Sequence, residues 1–208
     1  PPSCAHWFGT DEFGRDQFVR TVHGTQLSMQ AALVAVLIGL VSGSLVGLVA
    51  GAVKGRVDNI VMRVIDIMLA APSLIVSLAI ISALGRGTLN VAIAIGINST
   101  ATFARLMRSE VLKVSNAKYV EASVFAGHGY VHRLFRYVVP NASRSVLAAA
   151  TMEIGTAILT FASLSFLGLG APPPTPEWCA LVASGRSFLA TQWWLSLLPG
   201  LVIVASVL

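Results

Sequence analysis

"LSMQAALVAVLIGLVSGSLVGLVAGAV", Leu27 to Val53, runs for 27 residues without a formal charge. As a helix it would rise roughly 40 Å, more than the ~30 Å hydrocarbon core of a bilayer, so it reads as a membrane span with room for tilt. Gly39, Gly43, Gly47 and Gly51 recur at every fourth position, which places them along one side of that helix. A side stripped of side-chain bulk lets a second helix backbone approach closely. The rest of the chain has the same character. Hydrophobic residues make up 55% and charged residues 11%, with a mean hydropathy of +0.79, against roughly 25% charged in soluble domains. We therefore expect an all-α membrane protein, one transmembrane domain over residues 1–208 with about five helices.

Further spans follow on either side of polar connectors. The second covers Ile60 to Leu84, where Arg63 and Asp66 stand three apart and can pair on one face, and Pro72 is expected to kink the helix. The third, Leu89 to Met107, holds Asn90, Asn98, Ser99, Thr100 and Thr102. This suits a helix buried among others, and equally one lining a polar pathway. The fourth covers Val146 to Leu169, and the fifth starts near Trp193, with Trp193 and Trp194 at headgroup level. Between them, "GLGAPPPTPEWCALVASGRSF" is interrupted by prolines, after which Glu177 to Phe188 is expected as a short surface helix. The chain opens Pro1-Pro2-Ser3 and ends inside the last apolar run. A first helix and a C-terminal tail are expected beyond these two ends.

Alternating the spans puts ten basic residues on one side, among them Lys54, Arg105, Lys118, Arg133 and Arg144. The other side receives four, Arg15, Arg20, Arg86 and Arg186. The positive-inside rule then assigns the loop over residues 115–140 to the cytoplasm and the loop over 168–192 to the exterior. The net charge of +5 lies in these connectors, which argues for topology and against nucleic-acid binding.

The cytoplasmic loop contains "YVEASVFAGHGYVHRLFRYVVPN", Tyr119 to Asn141. It reads as two short helices, Lys118 to Ala126 and Tyr130 to Val138, turned at Gly127 and Gly129 and stopped by Pro140. In the second, Val131, Leu134, Phe135 and Val138 share a face, so it should lie flat on the membrane. The first is presented outward, with Tyr119, Ala122, Val124, Phe125 and Ala126 free to enter a groove on a partner protein.

Glu153 is the one acidic residue deep in an expected span, where a carboxylate is costly enough to suggest a role. With Asn98 it is a candidate for lining a translocation path, the alternative being a hydrogen-bonded structural glutamate. His128 and His132 stand four apart but lack a third ligand and read as surface histidines rather than a metal site. Cys4 and Cys179 fall on the same outer side, where a disulfide is chemically permitted. No GxxxxGK[ST] loop is present, so ATP is not held in that manner, and no nucleophile–base constellation suggests catalysis.

The sequence Glu121-Ala122-Ser123, with Gly127 after it and Pro140-Asn141 beyond, resembles the EAA loop of the membrane subunits of ABC importers. "FGTDEFGRDQFVRTVHGTQLSM" (Phe8 to Met29) and "ASLSFLGLGAPPPTPEWCALVASGR" (Ala162 to Arg186) narrow this resemblance to the oligopeptide, dipeptide and nickel permeases, in their OppC/DppC-like half. The resemblance implies a type I permease bundle of six helices, five of them seen here. It implies half of a heterodimeric pore in the bacterial plasma membrane, importing dipeptides or oligopeptides, or alternatively nickel or another small ligand. Coupling to the ATPase falls by resemblance on Tyr119, Glu121, Ala122, Ser123 and Gly127. The implied partners are an OppB/DppB-like second permease, ATP-binding subunits that carry ATP and Mg, and an extracytoplasmic substrate-binding protein. No cofactor is expected on this chain. A secondary transporter or channel would show paired intramembrane charges or an inverted repeat, and neither is found.

Overall fold

The structure, a computed structural model, describes residues 2–4, 6–170 and 175–207. Of the proline-rich stretch, Pro172, Pro173 and Pro174 lie outside the described residues. The described residues form helices, with a single isolated bridge among them between Thr10 and Asp16. The helices are α1 (Gln17–Val53), α2 (Gly55–Ala70), α3 (Ser73–Leu84), α4 (Thr88–Ser115), α5 (Lys118–Phe125), α6 (Tyr130–Arg133), α7 (Val139–Phe166), α8 (Trp178–Gly185) and α9 (Trp194–Val207). They form two compact units, one of Val36–Val76 and Gly96–Glu153, the other of Pro1–Ala35, Ser77–Ile95 and Ile154–Leu208.

Helix α1 starts ten residues before the expected span. Asp16 caps it, its Oδ1 accepting the Phe18 and Val19 amides at 2.8 and 3.1 Å, which satisfies donors that a helix start otherwise leaves open. In the first unit, the glycine side of α1 packs on α4. A Cβ built on Gly39 would lie 2.6 Å from Ser99 Cβ, on Gly43 2.5 Å from the Thr100 carbonyl, and on Gly51 2.8 Å from Val111; on Gly47 it would run into the Ala104 carbonyl. At Gly43 and Gly47 the nearest atoms are backbone carbonyls of α4, and the close approach is held over about three turns. On the opposite side Leu37, Val41, Leu45, Val49 and Val53 are exposed, a face suited to acyl chains.

Helix α2 is pinned to α4 by two ion pairs. Asp58 accepts two bonds from Arg108, at 2.8 and 2.6 Å, and Asp66 accepts one from Arg105 at 2.5 Å. The expected Arg63–Asp66 pairing within one helix is therefore corrected: the closer cation comes from α4. Ile65, Ala101 and Ala104 form a small core beside them, with Val46, Val61 and Met68 packed on it.

The second expected span is broken rather than kinked. α2 and α3 meet at 93°. Pro72 has no N–H to continue the helix, and it pushes the residue before it out of the helical region; Ala71 is extended, with φ −79° and ψ 136°. Pro140, by contrast, does not stop its helix. Tyr130 to Phe166 runs on through a π-helical turn at Leu134–Val138, where the Val139 amide donates five residues back to Leu134. The wider turn accommodates the proline ring, so Tyr130–Val138 is the first part of a long helix and not a separate piece lying flat.

In the second unit, α8 and a following 3₁₀ turn (Arg186–Phe188) occupy the segment expected as a surface helix. The expected short helix is present, and one side of it, with Glu177, Trp178, Cys179 and Leu181, is buried against the rest of this unit. The Trp178 indole N–H donates to the Thr21 carbonyl at 3.0 Å and the Thr25 hydroxyl at 3.2 Å. Gly24 leaves room for it, since a Cβ there would sit 3.2 Å from the ring. Cys179 is buried and Cys4 exposed, both free. Burial pushes the Cys179 thiol up to about 12, which keeps it protonated and unreactive.

Candidate coupling surface

Helix α5 follows α4 after two residues, Asn116 and Ala117. Its inner side is Val120 and Ser123, both buried, the Ser123 hydroxyl turning back to donate to the Val120 carbonyl at 2.6 Å. Its outer side presents Tyr119, Glu121, Ala122, Val124 and Phe125. Phe125 is the most exposed large apolar side chain of the described residues, at 86%. An aromatic left bare at the end of a helix is unfavourable in water and signals a surface that is covered in use.

The end of α5 is closed by two backbone bonds. The His128 amide donates to Ser123 at 3.2 Å and the Gly127 amide to Val124 at 2.9 Å, the six-to-one and five-to-two pattern that ends a helix on a left-handed residue. Gly127 is that residue, with φ +80°. Beyond it the His128 and His132 rings stack at 4.6 Å, each about 6 Å from Tyr137. No group of three metal-ligating side chains occurs among the described residues.

Two features tie α5 to the rest of its unit. The Tyr130 hydroxyl donates to the Ala52 carbonyl at the end of α1, at 2.6 Å. Behind α5 a cavity of about 210 Å³ is lined by Val120, Gly51, Lys54, Ser115, Tyr130 and Arg133. α1 turns into α2 beside it through Lys54 and Gly55, at φ +59° and +64°.

Of the five residues assigned to coupling, three therefore lie on the open face of α5: Tyr119, Glu121 and Ala122. Ser123 faces inward, and Gly127 shapes the helix end. Phe125 was legible as a contact residue, although the motif does not include it. Of the path candidates, Asn98 donates to the Ser73 carbonyl at 3.1 Å. Its neighbour Ser99 donates to Glu153 Oε1 at 2.8 Å. Glu153 is half-buried and held against α4. Next to these, the Ser42 and Thr100 hydroxyls share a hydrogen bond at 2.7 Å.

Residues 43–208 match the family described as binding-protein-dependent transport system inner membrane component. The chain belongs to that family. Over 200 residues, covering 96% of this chain and 66% of the relative, it is 46% identical to the di/tripeptide transport system permease protein DppC of Pseudomonas aeruginosa. It is 42% identical to the probable D,D-dipeptide permease protein DdpC of Escherichia coli, over 98% of this chain and 68% of the relative. With the glutathione permease protein GsiD of Pectobacterium atrosepticum it shares 40% over its whole length and 69% of the relative. The chain thus spans about two thirds of the length of these relatives.

The fold is that of ABC transporter membrane chains. A crystal structure of an amino acid ABC transporter with histidines superposes with a TM-score of 0.69 at 17% identity, over 91% of this chain and 86% of that one. An inward-facing MetNI methionine transporter gives 0.68 at 14%, over 94% and 99%. This member of the family is accordingly an all-α inner membrane transport component.

Proposed function

We propose that this chain is a multi-pass permease subunit of an ATP-driven importer of short peptides, forming half of a heterodimeric pore. What carries the reading is the 46% identity to a di/tripeptide permease along 96% of the chain, together with the bare outer face of α5. In this reading the basic side is cytoplasmic, and α5 docks in a groove on an ATP-binding subunit, with Phe125 and Tyr119 buried there and Glu121 at the rim. ATP and Mg belong to that subunit. A second permease completes the pore, and an extracytoplasmic binding protein delivers the peptide.

The mechanism follows from the way α5 is fixed. It continues from α4 with almost no slack, α4 is locked to α1 along the glycine face and to α2 through Asp58 and Asp66, and Tyr130 clamps the loop to Ala52. A displacement of α5 is therefore passed to α4 rather than absorbed in the loop. On α4 it reaches Asn98 and the Ser99–Glu153 hydrogen bond, which we place on the peptide path. Co-purification of the assembled transporter tests the reading. Glu121→Lys and Phe125→Asp are expected to weaken retention of the ATP-binding subunit at least tenfold with normal membrane insertion; full retention and full uptake in both would overturn it.

A further inference from the structure

The cavity behind α5 carries charge that nothing in its wall balances. Lys54 and Arg133 both border it, and no carboxylate does. Neither cation has an ion-pair partner among the described residues, whereas Arg105 and Arg108 of the same unit are each paired with an aspartate. Lys54 is exposed at the turn that ends α1, directly after Val53, and Arg133 is half-buried at the end of α6. Two cations converging on one hollow, with the hydroxyl of Ser115 beside them, raise the local concentration of anions there.

A second hollow adjoins the first. Tyr130 and Leu134 belong to both, and beyond them a groove of about 550 Å³ runs between Leu48, Val49 and Val53 of α1 and Phe135 of the π turn, with no charged side chain in its wall. Val49, Val53 and Phe135 are exposed. Val49 and Val53 are the last members of the α1 face suited to acyl chains, so the groove prolongs that face to its polar end, where Lys54 follows. Tyr130 stands at the junction. Its ring borders both hollows while its hydroxyl donates to the Ala52 carbonyl, the placing of an aromatic at a membrane–water boundary. A soluble anion would use the cavity alone, and an apolar helix the groove alone.

We propose that the two hollows together hold one anionic phospholipid, its phosphate at Lys54 and Arg133 and an acyl chain along Val49, Val53 and Phe135. Basic pockets between helices beside an apolar face recognise lipid headgroups in this way. A zwitterionic lipid brings its own cation to the same place and is the poorer occupant. Because Val120 also borders the cavity, the headgroup supports α5 from behind. The inference goes beyond the coupling reading and stands without it, since it requires only that the chain lies in a membrane.

Photo-cross-linking on the assembled transporter in phosphatidylcholine nanodiscs tests it, with trace phosphatidylglycerol or phosphatidylcholine carrying a diazirine in one acyl chain. Adducts are counted by mass spectrometry in residues 48–53 and 130–135. Phosphatidylglycerol adducts there are expected to exceed phosphatidylcholine adducts about tenfold, and Lys54→Gln and Arg133→Gln to cut that ratio about fivefold each. Lys54→Arg should retain it. Arg144→Gln, which removes an exposed charge bordering neither hollow, should leave it unchanged. An equal ratio for the two lipids, an absence of adducts in both segments, or a loss as large in Arg144→Gln as in Lys54→Gln would overturn the proposal. So would inorganic phosphate, at constant ionic strength, suppressing the adducts as well as unlabelled phosphatidylglycerol does, which assigns the cavity to a soluble anion. Should Arg133→Gln fail to fold, shown by its melting curve, the two variants of the exposed Lys54 decide.

Discussion

Gly47 has no room for a side chain, because the Ala104 carbonyl of α4 occupies the place of its Cβ. Gly47→Leu must push α1 and α4 apart, and overpacking of this kind costs about 1–3 kcal/mol or more. Thermal unfolding in detergent should show a clear drop for Gly47→Leu and none for Gly200→Ala, a helical site with nothing within 4 Å. Asp16 is a second decisive residue, outside the spans. The hydrogen bond from the His6 ring at 2.7 Å, with the Val19 and Phe18 amides, holds its carboxyl below the ordinary 3.8. A depressed value means stabilisation that is complete above the ordinary carboxylate pKa and lost as pH falls through the lowered one. Asp16→Ala should thus melt below wild type at pH 7, with the gap closing as pH drops below about 4.

Helix α5 depends on how it ends. Gly127→Ala places a Cβ at φ +80°, which costs about 1 kcal/mol, so the last turn should fray. Hydrogen exchange at the His128 amide, bonded to Ser123 in the intact turn, is expected to quicken about fivefold. Helix α2 depends on its anchors. Removing the charge in Asp58→Asn leaves the Arg108 guanidinium without its carboxylate and should destabilise by about 2 kcal/mol, the scale of a hydrogen bond to a charged group. Asp66→Asn, at a pair whose side chains are 55% and 63% exposed, should matter less, and denaturation of the two variants side by side checks the order. The two prolines teach the same lesson about elements. Pro72 broke its helix and Pro140 did not, because the π turn before Pro140 moves the backbone bonds to a register that does not need its missing N–H.

Across the whole molecule, the coupling reading implies that work delivered at α5 reaches the pore through α4. Glu153→Gln keeps a hydrogen-bond acceptor for Ser99 but loses the carboxyl group, so uptake should fall while ATPase association stays normal. Phe125→Asp should do the reverse, losing association first. Uptake in proteoliposomes together with subunit retention separates the two.

Much of this architecture was legible in the chain. Charge-free runs, glycines every fourth residue, basic connectors and a loop of mixed polarity are local properties, and they determined a helical membrane protein with a close-packing face on α1 and an exposed α5. What they could not name was any partner. That Gly47 meets Ala104, that Asp66 chooses Arg105 over its own-helix neighbour Arg63, that Trp178 is buried against Thr21, and that Arg15 and Arg20 share Asp11 at a cavity wall were decided only by the tertiary structure. Periodicity tells which side of a helix must be covered, whereas which distant residue covers it depends on how separate segments pack, and that is not written in any single stretch of sequence.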